Sequence, residues 1–310
     1  MVNNSDVHAD WATEFYPGLV VRGKWHGQCY TLVRKLGVGV TGHVYLAQGQ
    51  DGYVALKIGL DARAITTEVN VLKQLNKVQE MLGPCLYDVD DYVCLRGSAP
   101  FYAMEYIQGE NVLDFMKGRS GEWVEVLLSQ ILTKLAQLHK QGLVFGDLKP
   151  ANVLVTDKSY HIRLLDVGGV TEMGRAVKEY TEYYDRGYWE LGSRRADPQY
   201  DLFSVAMMMI VCAYPARVNK VSGKTAAQLK KMVQKSPLLQ PYQQMLLRAL
   251  HGKYVCADDM RSALVKRKKG KLPTRKVVNR KRQLTDRVDL FLVASFVILL
   301  SVLYLLGEIF

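Results

Sequence analysis

Three short runs of β-branched and aromatic residues, Tyr30 to Leu36, Val44 to Ala47 and Tyr53 to Ile58, are parted by glycine-containing turns. That pattern predicts an antiparallel meander. Then the period changes. Ile65, Val69, Leu72, Leu75 and Leu82 recur near helical spacing until Gly83-Pro84 closes the run, so a helix over about residues 65–82 is expected to follow the strands. Beyond a connector at Gln108-Gly109 the helical period dominates, over Glu122 to Gln141 before Gly142, Tyr200 to Ala213 before Pro215, and Ala226 to Val233. The order predicts an α+β fold of two lobes, strand-rich first and helix-rich second. No internal repeat interrupts it.

Charge then marks a boundary. The 310-residue chain carries 41 Lys and Arg against 30 Asp and Glu, and twelve of those bases fall between Arg261 and Arg287 against the single acid Asp286. That local excess of eleven equals the whole net charge of +11, so the rest of the chain is close to neutral. Lys266 to Arg282 contains Gly270 and Pro273 and no aromatic residue, and is expected to be a linker. After it, Leu290 to Leu306 reads LFLVASFVILLSVLYLL without a charge. As a helix rising about 1.5 Å per residue it would reach about 26 Å, close to the ~30 Å of a hydrocarbon core, and Gly307, Ile309 and Phe310 extend it. A buried helix of the globular part is the alternative. The run has no polar face and a basic block abuts it, so a single membrane span is expected, with the globular part on the cytoplasmic side. Met1 to Asp10 is polar and lacks the apolar core of a signal peptide. Cys29, Cys85, Cys94, Cys212 and Cys256 are scattered, with no paired spacing for zinc or dithiol redox chemistry, and read as reduced.

Candidate chemistry gathers where the two lobes join. LGVGVTGHVYLA places Gly37, Gly39, Gly42 and Val44 in a G-x-G-x-x-G-x-V pattern. Glycines there let a hairpin backbone lie close over phosphates, and the valine can cover an adenine ring. Alone, such a hairpin is a weak signal. The next strand holds VALK, with Ala55 and Lys57, and the following helix offers Glu68 as an acidic partner. FYAMEY, from Phe101 to Tyr106, is an apolar strand running into an acidic and aromatic connector. FGDLKPANVLV then gives Asp147, Lys149 and Asn152, IRLLDVGG gives Asp166, and YDLFSVA gives Asp201. Any one of these acids fits an ordinary turn or cap. Their order, on these elements, makes the set specific.

Over about residues 25–264 the motifs resemble those of the eukaryotic-type serine/threonine protein kinases. The resemblance implies a bilobed protein kinase-like fold, ATP and Mg2+ as cofactors, and transfer of the γ-phosphoryl group to Ser and Thr hydroxyls of protein substrates, the kinase itself included. It implies that Gly37, Gly39, Gly42, Val44 and Ala55 enclose the nucleotide, and that Lys57, paired with Glu68, holds its α and β phosphates. Met104 would back the adenine pocket, while backbone groups near Glu105 and Ile107 bind the ring. Asp147 would take the acceptor's proton and Lys149 steady the transferring group; Asn152 and Asp166 would hold the metal, and Asp201 and Thr181 support the catalytic loop. Within the family, the small lobes, the basic linker, the terminal span and YTEYYDRGYW from Tyr180 are similar to the membrane-anchored kinases of spore-forming bacteria. The expected organisation is a polar leader over 1–24, a kinase domain over 25–264 divided near 107, a basic juxtamembrane linker over 265–287 and a transmembrane segment over 288–310.

Departures from the family pattern bear on control. The His-Arg pair that usually precedes the catalytic aspartate is here Phe145-Gly146, and Val167 stands where phenylalanine is usual. Gly146 cannot bind a phosphate on the activation segment, so transfer remains feasible while the usual latch is gone. Thr171 is therefore expected to carry little weight and Thr181 more. Gly146-Asp147 raises a small-molecule kinase of the aminoglycoside or choline type as a rival, opposed by Lys149-Pro150 and the full glycine loop. A catalytically inactive scaffold is a second rival, opposed by the retained lysine and acids. Lys266, Arg267, Lys268, Lys269, Lys271, Arg275, Lys276, Arg280, Lys281 and Arg282 form a candidate polyanion site. They can set topology and hold anionic lipid at about 1 kcal/mol per base near the surface. The sharper reading is DNA, bound by charge alone, because no aromatic between Tyr254 and Phe291 offers a stacking platform. A polymer bound there would bring copies of the chain together in self-association.

Overall fold

A computed structural model describes residues 14–39, 41–59, 61–76, 82–94, 97–216 and 218–270. Contacts part the chain into a unit through Leu264 and a second from Val265. The first unit opens with β1 (Val20–Arg22), β2 (Cys29–Val38), β3 (Gly42–Gly49) and β4 (Gly52–Gly59), then α1 (Ala62–Asn76), β5 (Leu86–Cys94) and β6 (Gly97–Glu105). The six strands form one sheet in the order β1-β2-β3-β4-β6-β5. A bridge between Gly23 and Tyr92 brings its two edges together, so the sheet closes on itself. The bridge covers part of the edge that β5 would otherwise present. The enclosed core includes Phe15, Val21, Tyr30, Leu32, Tyr45, Leu56 and Phe101.

This corrects the expected polar leader. Val21 is fully buried and Phe15 packs in the same cluster, so the domain begins before residue 25. A three-residue strand is too short to declare a period of two, and a lone phenylalanine carries none. The expected helix over 65–82 is observed as α1 from Ala62 to Asn76, which buries Ile65, Glu68, Val69, Leu72 and Leu75, while Leu82 lies in a bend outside it. Residues 77–81 lie outside the described ones.

The second lobe is built around helices. β7 (Gly109–Asn111) and α2 (Val112–Met116) lead to α3 (Glu122–Lys140), followed by the short strands β8 (Leu143–Val144), β9 (Val153–Thr156), β10 (Ile162–Leu164) and β11 (Thr171–Glu172). Then come α4 (Pro198–Ala213), α5 (Thr225–Lys235), α6 (Gln243–Leu250) and α7 (Ala257–Gly270). Glu122 and Glu125 open α3, and His139 and Lys140 close it, complementing the helix dipole. α4 starts on an Asp197 side-chain cap to Tyr200 N with Pro198 just inside, and is buried on every side from Tyr200 to Val211. It is the rod on which the lobe is assembled. β10-β9-β7 and β11-β8 form two small sheets. The loop bearing Asp147 lies between β8 and β9, and Asp166 follows β10.

The expected linker starts inside a helix, because α7 continues through Gly270. The basic run consists of good helix formers and has no breaker before that glycine. Lys266 and Arg267 are therefore helical, as is the backbone of Lys268 and Lys269. Lys271, Arg275, Lys276, Arg280, Lys281, Arg282 and the expected span lie outside the described residues. Among the described residues no helix is long and apolar enough to cross a membrane.

Sheet closure rests on a buried acid. Asp90 accepts the backbone N–H of Trp25 at 2.9 Å and of His26 and Asp91 at 2.7 Å, and a Cβ on Gly23 would fall 2.2 Å from its Oδ2. Burial alone would raise its pKa, but the bonds from His26, Trp25 and Asp91 outweigh burial and hold the carboxyl below its usual value. A group so depressed stabilises the fold above its unfolded pKa, about 3.9, and that contribution is lost as pH falls through the folded value. Asp90→Asn is expected to destabilise the protein by about 1–3 kcal/mol at pH 7. The difference from the parent should shrink below about pH 4. Denaturant unfolding across a pH series measures it, and a difference unchanged at pH 3 would contradict the assignment.

Candidate active site

The lobes face each other across a cleft of about 400 Å³, an ordinary size for a small-molecule site. Gly37, Gly39, Val44, Ala55, Lys57, Met104, Glu105, Ile107, Asn152 and Asp166 all line it, with Leu36, Leu154 and Leu165 among its apolar walls. The β2–β3 turn is tightened by Gly39 N donating to Gly42 O at 2.8 Å. Gly42 and Glu68 are not on the cleft wall: Gly42 starts β3, and Glu68 lies behind Lys57.

Lys57 Nζ is 2.7 Å from Glu68 Oε2 and 3.9 Å from Asp166 Oδ1. The pair is dry, with Lys57 4% and Glu68 2% exposed, so each charge depends on its partners rather than on water. Two donors that sequence reasoning missed complete the carboxylate. The Tyr102 hydroxyl donates to Oε2 at 2.8 Å and the Thr41 hydroxyl to Oε1 at 2.7 Å. Burial and the nearby Glu68 push the Tyr102 phenol well above its usual range, so it remains a donor.

At the end of β6 the Glu105 side chain is taken up structurally. Arg163 donates to both of its oxygens, at 3.0 and 2.6 Å, and also to Gly83 O at 2.8 Å. Burial would raise the Glu105 pKa, but Arg163 and Cys85 N outweigh it and hold the carboxyl below its usual value. Arg163 stands three residues before Asp166, so this bidentate pair ties the connector between the lobes to the strand that delivers Asp166. Its only sign in the sequence is a charge inside the apolar stretch IRLL.

The loop bearing Asp147 hangs from α4. Asp201, with no exposed surface, accepts Phe145 N at 2.8 Å, Gly146 N at 3.0 Å and the His139 ring at 3.0 Å. Within the loop, Asp147 Oδ1 accepts the Thr181 hydroxyl at 2.8 Å, Lys149 Nζ lies 2.5 Å from Oδ2, and the same ammonium donates to Thr181 at 3.1 Å. Thr181 thus bonds both residues. Asn152 Nδ2 donates to Asp147 O at 2.9 Å, which leaves its amide oxygen for the cleft. Asn152 and Asp166 both line the cleft, and an amide oxygen with a carboxylate is a pair of hard donors that fits Mg2+. Glu179, absent from the sequence-derived set, sits beside them. Its Oε2 and Asp166 Oδ1 come within 3.1 and 3.4 Å of where a Cβ on Gly168 would be. Burial, then the charges of Asp166 and Glu68, raise its pKa.

The segment after Asp166 is held by backbone. Met173 N donates to Gly142 O, Gly174 N to Ala196 O, Ala196 N to Arg175 O and Val177 N to Arg194 O, all at 2.8–2.9 Å. Val177 is buried with Val144, Ala196 and Tyr200. Thr171 is 1% exposed and its hydroxyl donates to Gly169 O at 2.8 Å. Glu190 is bonded on the surface to Lys220 and Gly223 N. The buried acid in that region is Asp185, which receives Arg194 and the Tyr200 hydroxyl.

A family model described as the protein kinase domain matches residues 30–270. Serine/threonine-protein kinase YabT of Bacillus subtilis is 46% identical over 264 residues, covering 84% of this chain and 78% of its own. Serine/threonine-protein kinase cds1 of Schizosaccharomyces pombe is 28% identical over 156 residues, 45% of this chain and 32% of its own. Among solved structures, a double-mutant PknI kinase domain from Mycobacterium tuberculosis superposes with a TM-score of 0.57 at 19% identity, over 82% of this chain and 98% of that one. At that identity the likeness speaks for the fold alone.

Gly146 is where loop geometry and the departure from the family meet. Its φ is +80°, and a Cβ there would lie 2.5 Å from Gly169 O. Gly146→Ala is expected to cost about 1–3 kcal/mol in backbone strain. The phosphoryl-transfer rate should fall with it, because Gly146 N is one of the two loop donors to Asp201. Thermal unfolding beside an activity assay checks this, and a variant as stable and active as the parent would contradict it.

Proposed function

The chain belongs to the eukaryotic-type bacterial serine/threonine protein kinases, and on that premise we propose how its residues divide the work. The small-molecule kinase and inactive-scaffold readings give way to this assignment. The observation that carries the division is that Asn152, bonded to Asp147, lines the same cleft as Asp166 and Lys57. When bound, ATP and Mg2+ supply the γ-phosphoryl group and neutralise its charge.

Everything else falls to this chain's residues. Lys57, aimed by Glu68, sets a fixed positive charge for the α and β phosphates, and Asn152 and Asp166 hold the metal. Backbone groups near Glu105 and Ile107 take the adenine ring, with Val44, Ala55 and Met104 around it. Asp147, steadied by Thr181, orients an acceptor hydroxyl and takes its proton at a carboxylate oxygen, while Lys149 offsets charge on the moving group. No phosphate on the segment after Asp166 enters this scheme. The backbone bonds from Met173 to Val177 are the support a phosphate latch would otherwise give.

The kinase sits in the cell membrane by the span over Leu290 to Leu306, facing the cytoplasm, with autophosphorylation among its activities. The basic residues from Lys266 to Arg282 bind DNA or anionic lipid without regard to sequence and gather kinases for reaction in trans. What supports this is that nearly all the net charge is concentrated there.

Asp147→Asn is expected to keep the fold and nucleotide binding and to slow transfer by about two or more orders of magnitude. Radiolabelled ATP with a generic protein acceptor measures it. Parent-like rates in both Asp147→Asn and Lys57→Met would refute the site. For the basic segment, autophosphorylation of the full chain in neutral detergent should rise with DNA and then fall as excess polymer dilutes the kinases apart. Neutralising Lys266 to Lys269 and Arg280 to Arg282 should flatten that curve and its salt dependence. A flat response of the parent at low salt leaves only the membrane role.

A further inference from the structure

Thr41 stands at the tip of the glycine-rich turn, one residue before Gly42, and makes a bond of its own. Its hydroxyl donates to Glu68 Oε1 at 2.7 Å, while Lys57 and Tyr102 fill Oε2 at 2.7 and 2.8 Å. Glu68 is 2% exposed, so each oxygen of this carboxylate relies on side-chain donors rather than on water. The donors come from different elements: Lys57 from β4, Tyr102 from β6, and Thr41 from the turn. Of these three, Thr41 alone joins the turn to α1.

That junction matters because of what surrounds it. Glycines at 37, 39 and 42 give the turn wide backbone freedom, which must be given up before the turn can close over phosphates. A bond already made lowers that ordering cost. It also ends on the acid that aims Lys57, so holding the turn down and directing the ammonium become one event. We infer that Thr41 is a positioning residue for the phosphate end of the nucleotide, acting through Glu68. The inference rests on the reading of the cleft as an ATP site.

The test is calorimetric titration of the full chain in Mg2+ with a non-hydrolysable ATP analogue and, separately, with adenosine. Thr41→Val removes the donor, leaves Glu68 Oε1 buried without it, and frees the turn. It is expected to weaken the analogue about 5- to 20-fold, the cost of ordering about one freed residue of the turn, while adenosine binds as it does to the parent. Thr41→Ser is expected to restore analogue affinity to within about twofold of the parent. If the valine variant does not fold, Thr41→Ala compared with Thr41→Ser makes the same contrast. Unchanged analogue affinity, or an equal loss for adenosine, overturns the inference. A parent that binds neither ligand overturns the nucleotide reading instead.

Discussion

A carboxylate with no access to water must be supplied with donors, and Asp201 takes two of them from the backbone of the catalytic loop, at Phe145 and Gly146. An uncompensated buried charge costs several kcal/mol, so loop conformations that drop these bonds are excluded. Asp201 cannot move to follow the loop, because α4 is buried on all sides from Tyr200 to Val211. The position of Asp147 therefore inherits the rigidity of the core. The left-handed backbone at Gly146 is part of the same constraint, since only there can its N–H reach Asp201 while the chain passes close to Gly169.

The same device recurs on the other side of the cleft. Glu68 collects Lys57, Tyr102 and Thr41 from separate elements, and Glu105 collects Arg163 and Cys85 N. In the first case a shielded acid and in the second a half-buried one fixes elements that adjoin the site, and its charged or polar partners determine geometry more than they add stability. The segment after Asp166 is secured differently, by main-chain bonds to the stretch from Arg194 to Ala196 and by the burial of Val177. Neither kind of support needs a modified side chain. On the proposed assignment, this is how a full set of reacting groups stands beside a missing arginine.

Much of this site is legible in the sequence because short loops of fixed geometry impose fixed spacings: Asp147, Lys149 and Asn152 are placed by one turn, and Lys57 by a strand next to a glycine hairpin. What the spacing cannot carry is contact between distant segments. Arg163 and Glu105 are 58 residues apart and Thr41 and Glu68 are 27 apart, with no periodic pattern to pair them. The expected leader gives way to β1 for a related reason, since β1 and Phe15 gain their meaning only against β2 and β5. At the other end, a run of Lys and Arg reads as a linker by polarity, yet those residues prolong α7 because nothing in them stops a helix before Gly270.

The central claim is that structure, rather than phosphorylation, places the activation segment. Its most direct test is the time course of phosphoryl transfer to a protein acceptor by enzyme first stripped of phosphate and freed of phosphatase. The account predicts transfer that is linear from the first time point. A lag that disappears after preincubation with ATP would contradict it.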